Sequence, residues 1–310
     1  MEYQRQVLKR AAACIVLAVA LQLLSAGFFR QPGVAELLFY LETGYLIRFE
    51  RAEAALPEAS APVEAEKPPK EALSFTEDEL VSVQNHTSYQ PELYRLLTQP
   101  LSWSVAEEGP VVLILHTHAT ETYTGAQIPY SGNYRTEDTA FNMVSVGAEL
   151  ARVLEAGGVR VLHDQTLHDH PNYSGAYDGS RETIQRYLRK HPSIRLVLDI
   201  HRDAAGGTGK LETQATVSGQ RSAQLMAVVG TQSEGWQENL SLALKLSALL
   251  ERSNPGICRP IDLRTERFNM DLSVGSMLVE VGATGNTHGE AMIAANALAQ
   301  AVTELIMDNG

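Results

Sequence analysis

The 310-residue sequence has little of several features that mark particular protein classes. It holds two cysteines, of which Cys14 lies in an apolar run and Cys258 stands alone, so a disulfide framework is excluded. It has no cluster of Lys and Arg, and its formal net charge is -12. Because nucleic-acid binding needs clustered positive charge to neutralise phosphates, the sequence argues against a nucleic-acid partner.

Long apolar runs are also scarce, with one exception near the N-terminus. Residues 11–29 are almost entirely apolar, close to the roughly 20 residues that cross a bilayer as a helix. Arg5, Lys9 and Arg10 precede this run, and positive residues favour the cytoplasmic side. We therefore expect a cytoplasmic N-terminus at 1–10, a transmembrane helix at 11–29 and the rest of the chain outside. A cleaved signal peptide is the alternative, and it exports the same residues.

Composition divides the exported part into three segments. Residues 30–72 form a membrane-proximal segment and a spacer rich in Pro, Ala and Glu, a composition that cannot bury a core. Residues 73–109 form a lead-in, and residues 110–310 alternate apolar runs with amphipathic stretches. That alternation predicts an α/β domain, with an open, mostly parallel sheet and helices on both faces.

The periodicity of the apolar residues places the main elements of this domain. Strands are predicted at 111–115, 159–162, 196–200, 225–229 and 276–280. Helices are predicted at 138–156, 180–190, 236–252 and 290–307, with Ser180 as an N-cap.

Residues with chemistry follow or end three of the predicted strands. His118 follows the first strand, His201 follows the third and Glu280 ends the last, while Glu137 precedes the first helix. In an open α/β sheet, reacting groups gather at the carboxyl ends of the strands. Two histidines and a carboxylate around an open position are typical of a catalytic zinc site, where a further Glu can act as general base in amide hydrolysis.

Each of these residues also has a simpler interpretation. A lone histidine at a strand end is more often a hydrogen-bonded polar residue than a metal ligand, and an acidic residue such as Glu137 is favoured at a helix start by the macrodipole. Glu280 is harder to explain structurally, because a carboxylate entering a core is costly unless it is paired or bound to metal. The crowded histidines 163, 168 and 170 are better explained as a polar loop than as a second metal site.

Five motifs together resemble the stage II sporulation protein P family. They are Val112-Leu-Ile-Leu-His-Thr-His-Ala-Thr-Glu-Thr-Tyr123, Tyr134-Arg-Thr-Glu-Asp138, Tyr173-Ser-Gly-Ala-Tyr177, Val197-Leu-Asp-Ile-His-Arg-Asp-Ala204 and Leu278-Val-Glu-Val-Gly-Ala-Thr-Gly-Asn286. The resemblance runs from about Leu93 to the C-terminus. It implies kinship with zinc-dependent N-acetylmuramoyl-L-alanine amidases, which use a His, Glu, His zinc site and a catalytic Glu on a late strand.

The resemblance assigns these roles to the matching residues. His201 corresponds to the last zinc ligand and Glu280 to the catalytic glutamate. For the first ligand His118 is favoured over its neighbour His116. For the second, Glu137 is favoured over Glu121, which would instead give the His-x-x-Glu spacing of zinc carboxypeptidases.

The expected function is cleavage of the amide between N-acetylmuramic acid and L-alanine of the peptidoglycan stem peptide, and the resemblance allows a second, endopeptidase activity on cross-links. It also implies action at a sporulation septum or engulfing membrane, with the stage II sporulation proteins D and M as partners. Two alternatives are a zinc carboxypeptidase-like peptidase that trims stem peptides and a non-catalytic wall-binding scaffold.

Overall fold

The computed structural model describes residues 73–124, 134–204 and 211–309. Its strands are β1 (Val83–Asn85), β2 (Val112–Leu115), β3 (Val161–His163), β4 (Leu196–Asp203), β5 (Ala215–Val217), β6 (Gln220–Ser222), β7 (Leu225–Gly230), β8 (Ile261–Arg264) and β9 (Ser276–Ala283). Its α-helices are α1 (Leu93–Thr98), α2 (Met143–Ala156), α3 (Ala176–Lys190), α4 (Trp236–Ser253) and α5 (His288–Asp308).

Seven of these strands form one sheet in the order β1-β8-β7-β9-β4-β2-β3. All neighbours pair in parallel except β7 and β9, which are antiparallel. The sheet therefore consists of two parallel groups that run in opposite directions and meet at β7 and β9. The carboxyl ends of β9, β4, β2 and β3 lie along one edge, which is the edge that carries the candidate site.

Helices cover both faces of the sheet. On β2, Val112 and Ile114 join the large core that includes residues of α2, α4 and α5, whereas Leu113 and Leu115 pack with Ile184 of α3. Because successive side chains of a strand point to opposite faces, α3 lies on the face opposite to α2, α4 and α5. This confirms the predicted α/β fold with a mostly parallel sheet.

Capping residues set helix starts that periodicity alone misplaces. Helix α2 begins at Met143, later than predicted, because the Asn142 side chain accepts a hydrogen bond from the Val144 N–H and acts as the N-cap. Helix α3 begins at Ala176, so Ser180 is wrong as an N-cap and lies buried inside the helix. Helix α5 begins after Thr287, which forms a capping box with Glu290.

The lead-in belongs to the folded domain. Strand β1 pairs with β8 at one end of the sheet, and α1 packs against α4. The ammonium of the buried Lys245, on α4, donates to the carbonyls of Leu96 and Leu97 near the end of α1 at 2.9 and 2.6 Å. The sheet is thus completed by residues that precede Pro110.

The predicted transmembrane helix at 11–29 and the spacer within 30–72 lie outside the described residues. Within the described ranges, none of the helices combines the length and the apolar composition that a bilayer crossing requires.

Candidate metal and catalytic site

Neighbouring strands bring the candidate residues to one edge of the sheet. Strand β2 ends at Leu115, and the turn that follows it carries His118 and Glu121. On the neighbouring strand β4, His201 is in register with Glu280 of β9. Both strands continue past these residues, to Asp203 and Ala283, so the two side chains project from the strands themselves.

His118, Glu121 and His201 form a compact group of potential ligands. One ligand atom from each residue lies within 4.8 Å of the other two. Nδ1 of His118 lies 3.7 Å from Oε1 of Glu121, and Nδ1 of His201 lies 3.8 Å from Oε2 of the same carboxylate. Among the described residues this is the one group of three or more His, Cys, Asp or Glu side chains with such spacing.

Two arginines surround the Glu121 carboxylate. The backbone N–H of Arg202 donates to Oε2 of Glu121 at 3.2 Å, and Nη1 of Arg202 lies 3.7 Å from Oε1. Arg135 reaches Oε1 at 3.5 Å and also pairs with the buried Asp169 at 2.6 Å. Glu121 is 3 % exposed, and such a buried carboxylate needs these positive partners. The arginines therefore hold Glu121 against the two histidines.

His201 is paired with a second buried acid. Its Nε2 lies 2.9 Å from Oδ1 of Asp199, an ion-pair contact whose angle falls outside hydrogen-bond limits. Burial lowers the pKa of His201, but the Asp199 carboxylate outweighs it and raises the pKa to about 9. Burial likewise raises the pKa of Asp199, while His201 and hydrogen bonds from Thr117 bring it down to about 2. The Asp199 carboxylate therefore favours a proton on Nε2 of His201, the ring nitrogen beside it.

Glu280 has the environment of a proton-transferring carboxyl. It lies beside His201, and its Oε2 is buried without a hydrogen-bond partner among the described residues. Burial raises its pKa to about 8, with His201 opposing the shift and Glu121 adding to it. A carboxyl that titrates near neutral pH can both accept and release a proton, and strongly perturbed pKa values mark functional sites.

His118 is the least buried member of the cluster. Its ring stacks on Tyr173 with centroids 4.8 Å apart and meets the ring of Tyr177 edge to face at 5.6 Å. Tyr173 is 54 % exposed, so an aromatic side chain lies partly open to solvent beside the cluster. Burial lowers the pKa of His118, which keeps its imidazole neutral and able to ligate a cation.

His116 takes a different position from His118. It is completely buried, with Nδ1 3.0 Å from the Ile200 carbonyl and Nε2 2.9 Å from Nε2 of His163. Burial, reinforced by His163, lowers the pKa of His116 to about 3. The structure therefore brings the favoured residue, His118, into the cluster and ties His116 into the core.

Glu137 is the predicted ligand that the structure does not bring to the cluster. Its side chain is 67 % exposed, and its Oε1 lies 3.4 Å from Nδ1 of His170. Helix α2 begins six residues later, at Met143, so Glu137 belongs to the turns before the helix rather than to its first turn. The structure places Glu121, the residue that sequence reasoning ranked second, next to His118 and His201, and it does not place Glu137 there.

Sequence reasoning missed Asp199, although a signal was present. Residues two apart on a strand share a face, so Asp199 must lie beside His201 on β4. An aspartate inside the apolar run Leu196-Val-Leu-Asp-Ile200 is as unusual as the glutamate in Met-Leu-Val-Glu280, which was recognised.

The donor set fits a zinc ion. Two imidazole nitrogens and one carboxylate oxygen are common zinc ligands, and the buried, unpartnered oxygen of Glu280 lies next to them. The separations of 3.7 and 3.8 Å are slightly longer than the roughly 3.4 Å expected between ligands around one tetrahedral zinc. All three donor atoms lie within 4.8 Å of one another, so they would have to move inward to contact a single ion.

Comparison with known proteins gives a family match and weaker structural similarities. A model of the family "Stage II sporulation protein P (SpoIIP)" matches residues 37–303. Stage II sporulation protein P of Bacillus subtilis (strain 168) is 29% identical over 209 residues, which are 64% of this chain and 51% of that protein. The chain thus matches about half the length of this relative.

Three solved amidases align with TM-scores below 0.5. The N-acetylmuramoyl-L-alanine amidase AmiC2 of Nostoc punctiforme has a TM-score of 0.39 at 16% identity, and the alignment covers 64% of this chain and 97% of the amidase chain. Ami1 from Mycobacterium smegmatis gives 0.38 at 16% identity, covering 64% and 98%. The amidase from Clostridium difficile 630 gives 0.38 at 11% identity, covering 66% and 100%. TM-scores of this size are too low to establish a shared fold.

Proposed function

The chain belongs to the stage II sporulation protein P family, and we propose that it is a zinc-dependent peptidoglycan amidase that acts during sporulation. The bond cleaved is the amide between N-acetylmuramic acid and L-alanine of the stem peptide. The observation that carries this proposal is the cluster of His118, Glu121 and His201, with Glu280 in register with His201 and its Oε2 buried and unpartnered among the described residues.

In this proposal His118, Glu121 and His201 hold the zinc ion. Bound zinc supplies Lewis-acid activation of a water molecule and of the scissile carbonyl. Glu280 takes a proton from the attacking water and returns it to the departing amine, a shuttle that suits a carboxyl with its pKa raised to about 8 by burial. Arg135 and Arg202 contact the Glu121 carboxylate and hold it in place, so that it stays available as a ligand.

The proposal extends to the location and partners of the protein. The apolar run at 11–29 would anchor the chain in the membrane, and the spacer would let the catalytic domain reach the wall on the extracytoplasmic side. By resemblance to the family, the proposal places the protein at the septal or engulfing membrane and takes the stage II sporulation proteins D and M as its partners. An additional endopeptidase activity on cross-links belongs to the same proposal.

A second candidate function has its own supporting observation. His118 and Glu121 are three residues apart and both belong to the cluster, which is the His-x-x-Glu spacing of zinc carboxypeptidases. A peptidase of that kind would trim stem peptides and leave the sugar–peptide amide intact.

Digestion of purified peptidoglycan by the 310-residue chain, followed by analysis of the muropeptides, separates these functions. An amidase releases free stem peptides and leaves glycan strands that keep their muramic acid. Shortened peptides still attached to glycan would instead support the carboxypeptidase-like function.

The matched variant is Glu280→Gln, which should retain zinc by metal analysis and lose about 10²- to 10⁴-fold in hydrolysis rate, the range for removing a general acid–base group. A wild-type chain that binds no zinc would contradict the metal site. One that binds zinc but releases no fragments would indicate the wall-binding scaffold.

A further inference from the structure

A buried chain of hydrogen bonds leads away from the candidate site and ends on Asp199. Thr117 donates to both oxygens of Asp199, through its backbone N–H at 2.8 Å and its hydroxyl at 2.5 Å. The Thr117 and Ser180 hydroxyl oxygens lie 2.8 Å apart. Asn269 Nδ2 donates to the Ser180 hydroxyl at 3.1 Å. All four residues are at most 5 % exposed.

The direction of this chain follows from the number of hydrogens. A hydroxyl has a single hydrogen, and that of Thr117 is directed at Asp199. The Ser180 hydrogen has two acceptors in reach, the Tyr177 carbonyl at 3.3 Å and the Thr117 hydroxyl oxygen at 2.8 Å. The shorter contact has no other hydrogen, so Ser180 donates to Thr117 and in turn accepts from the Asn269 amide. Every donor in the chain thus points toward Asp199. Such an arrangement stabilises a carboxylate with a fixed orientation.

The far end of the chain is held in an unusual backbone conformation. Phe268 and Asn269 are consecutive non-glycine residues with φ of 47° and 57°, in the left-handed region. Asn269 Nδ2 also donates to the Tyr177 carbonyl at 2.8 Å, which fastens this turn to α3. Residues in such conformations persist where the surrounding structure holds them, and they cluster at functional sites.

Asp199 in turn contacts the face of His201 that points away from the cluster. Nε2 of His201 lies 2.9 Å from Asp199, whereas Nδ1 lies 3.8 Å from Glu121. A carboxylate this close to Nε2 favours the tautomer with its proton on Nε2, which leaves the Nδ1 lone pair free for a cation. Carboxylates that orient metal-binding histidines in this way raise metal affinity.

We infer that Asp199 is a positioning residue that fixes the tautomer and ring orientation of His201 for metal binding, and that Thr117, Ser180 and Asn269 fix Asp199. This inference rests on the proposed zinc site. It assigns a role to the first Asp of the Asp-Ile-His-Arg-Asp-Ala motif. It also explains why two polar side chains, Ser180 of α3 and Asn269 of the 268–269 turn, are buried beneath the site.

The test is the zinc Kd of the 310-residue chain, measured by competition with a chromophoric chelator. Asp199→Ala should weaken binding by about 10- to 100-fold. Asp199→Asn keeps an oxygen beside the ring and should recover a large part of that loss. Thr117→Val keeps the side-chain shape and removes the hydroxyl that orients Asp199, so it should weaken binding by a smaller factor even if Asp199→Ala does not fold.

Asp164→Asn is the matched control, because Asp164 is also a buried acid near a histidine, His168, that lies outside the cluster. It should leave the zinc Kd unchanged. The inference is wrong if wild type binds zinc while a folded Asp199→Ala, or Thr117→Val where Asp199→Ala does not fold, binds it equally well. It is also wrong if Asp164→Asn weakens binding as much as Asp199→Ala. A wild-type chain without zinc would overturn the proposed function instead, so the two failures are distinguishable.

Discussion

The protein contains two contacting pairs of histidines, His116 with His163 and His118 with His201, and the groups that surround the two pairs differ. In the first pair the ring nitrogens are 2.9 Å apart, and His116 also contacts a backbone carbonyl. In the second pair the rings meet edge to face with centroids 5.1 Å apart, and their nitrogens face carboxylates. The first pair is satisfied by its own contacts, whereas the second belongs to the group that could hold a metal ion. The His-Thr-His motif thus supplies one residue to each task.

The largest effect that this comparison predicts is on zinc binding. His118→Ala removes a ligand and should weaken zinc binding by more than about 100-fold, which exceeds the effect of losing a supporting group. His116→Ala should keep zinc and instead lower thermal stability, because His163 and the Ile200 carbonyl lose their partner. Metal analysis of both variants after dialysis checks the prediction. Loss of zinc from His116→Ala alone would reverse the assignment.

A smaller effect on the zinc Kd is expected for Glu121→Gln, with Glu137→Gln as the comparison. Glu121→Gln weakens a ligand and removes the charge that faces both histidines, so the zinc Kd should rise by about tenfold or more. Glu137→Gln changes an exposed side chain next to His170 and should leave the Kd unchanged. Chelator competition measures both variants. An increase for Glu137→Gln with none for Glu121→Gln would restore the assignment made from the sequence.

The smallest effect comes from disturbing the first histidine pair without altering either residue. A Cβ on Gly147 would lie 2.7 Å from Nε2 of His163 and closer still to His116. Gly147→Ala should therefore cost about 1–3 kcal/mol of unfolding free energy, the usual range for overpacking. Denaturant unfolding gives the value.

Gly289→Ala, in α5, is the control for this glycine, since a Cβ there meets no atom within 4 Å. It should be neutral or slightly stabilising. Equal destabilisation by the two variants would show that a Cβ at position 147 does not clash with His116 and His163.

The sheet was predictable because its buried strands are mostly apolar. β2, β4, β7 and β9 all appear in the sequence as short apolar runs, and their parallel or antiparallel pairing is the part that periodicity does not encode. The short strands β1 and β8 are partly polar and escaped prediction. Helix starts shifted by several residues because the caps at Asn142 and Gly175 replaced those expected from the sequence.

The sequence predicts the part of the site that lies on the ends of strands. His201 and Glu280 are brought together by the register of β4 and β9, which follows from the sheet. The choice between Glu121 and Glu137 depends instead on the path of the turn after β2 and on the contacts of Arg135 and Arg202 with Glu121. Those contacts involve residues distant in sequence, so spacing alone could not select between the two acids.

The pairing of β1 with β8 also determines where this protein can be shortened. A chain that starts at Pro110 would lose β1 and α1, which leaves β8 as an open sheet edge, and open edges invite pairing between molecules. The Lys245 ammonium would lose its two carbonyl acceptors at the same time. A catalytic fragment that folds on its own therefore has to begin before Val83, where β1 starts, and so well before His118, the first residue of the proposed zinc site.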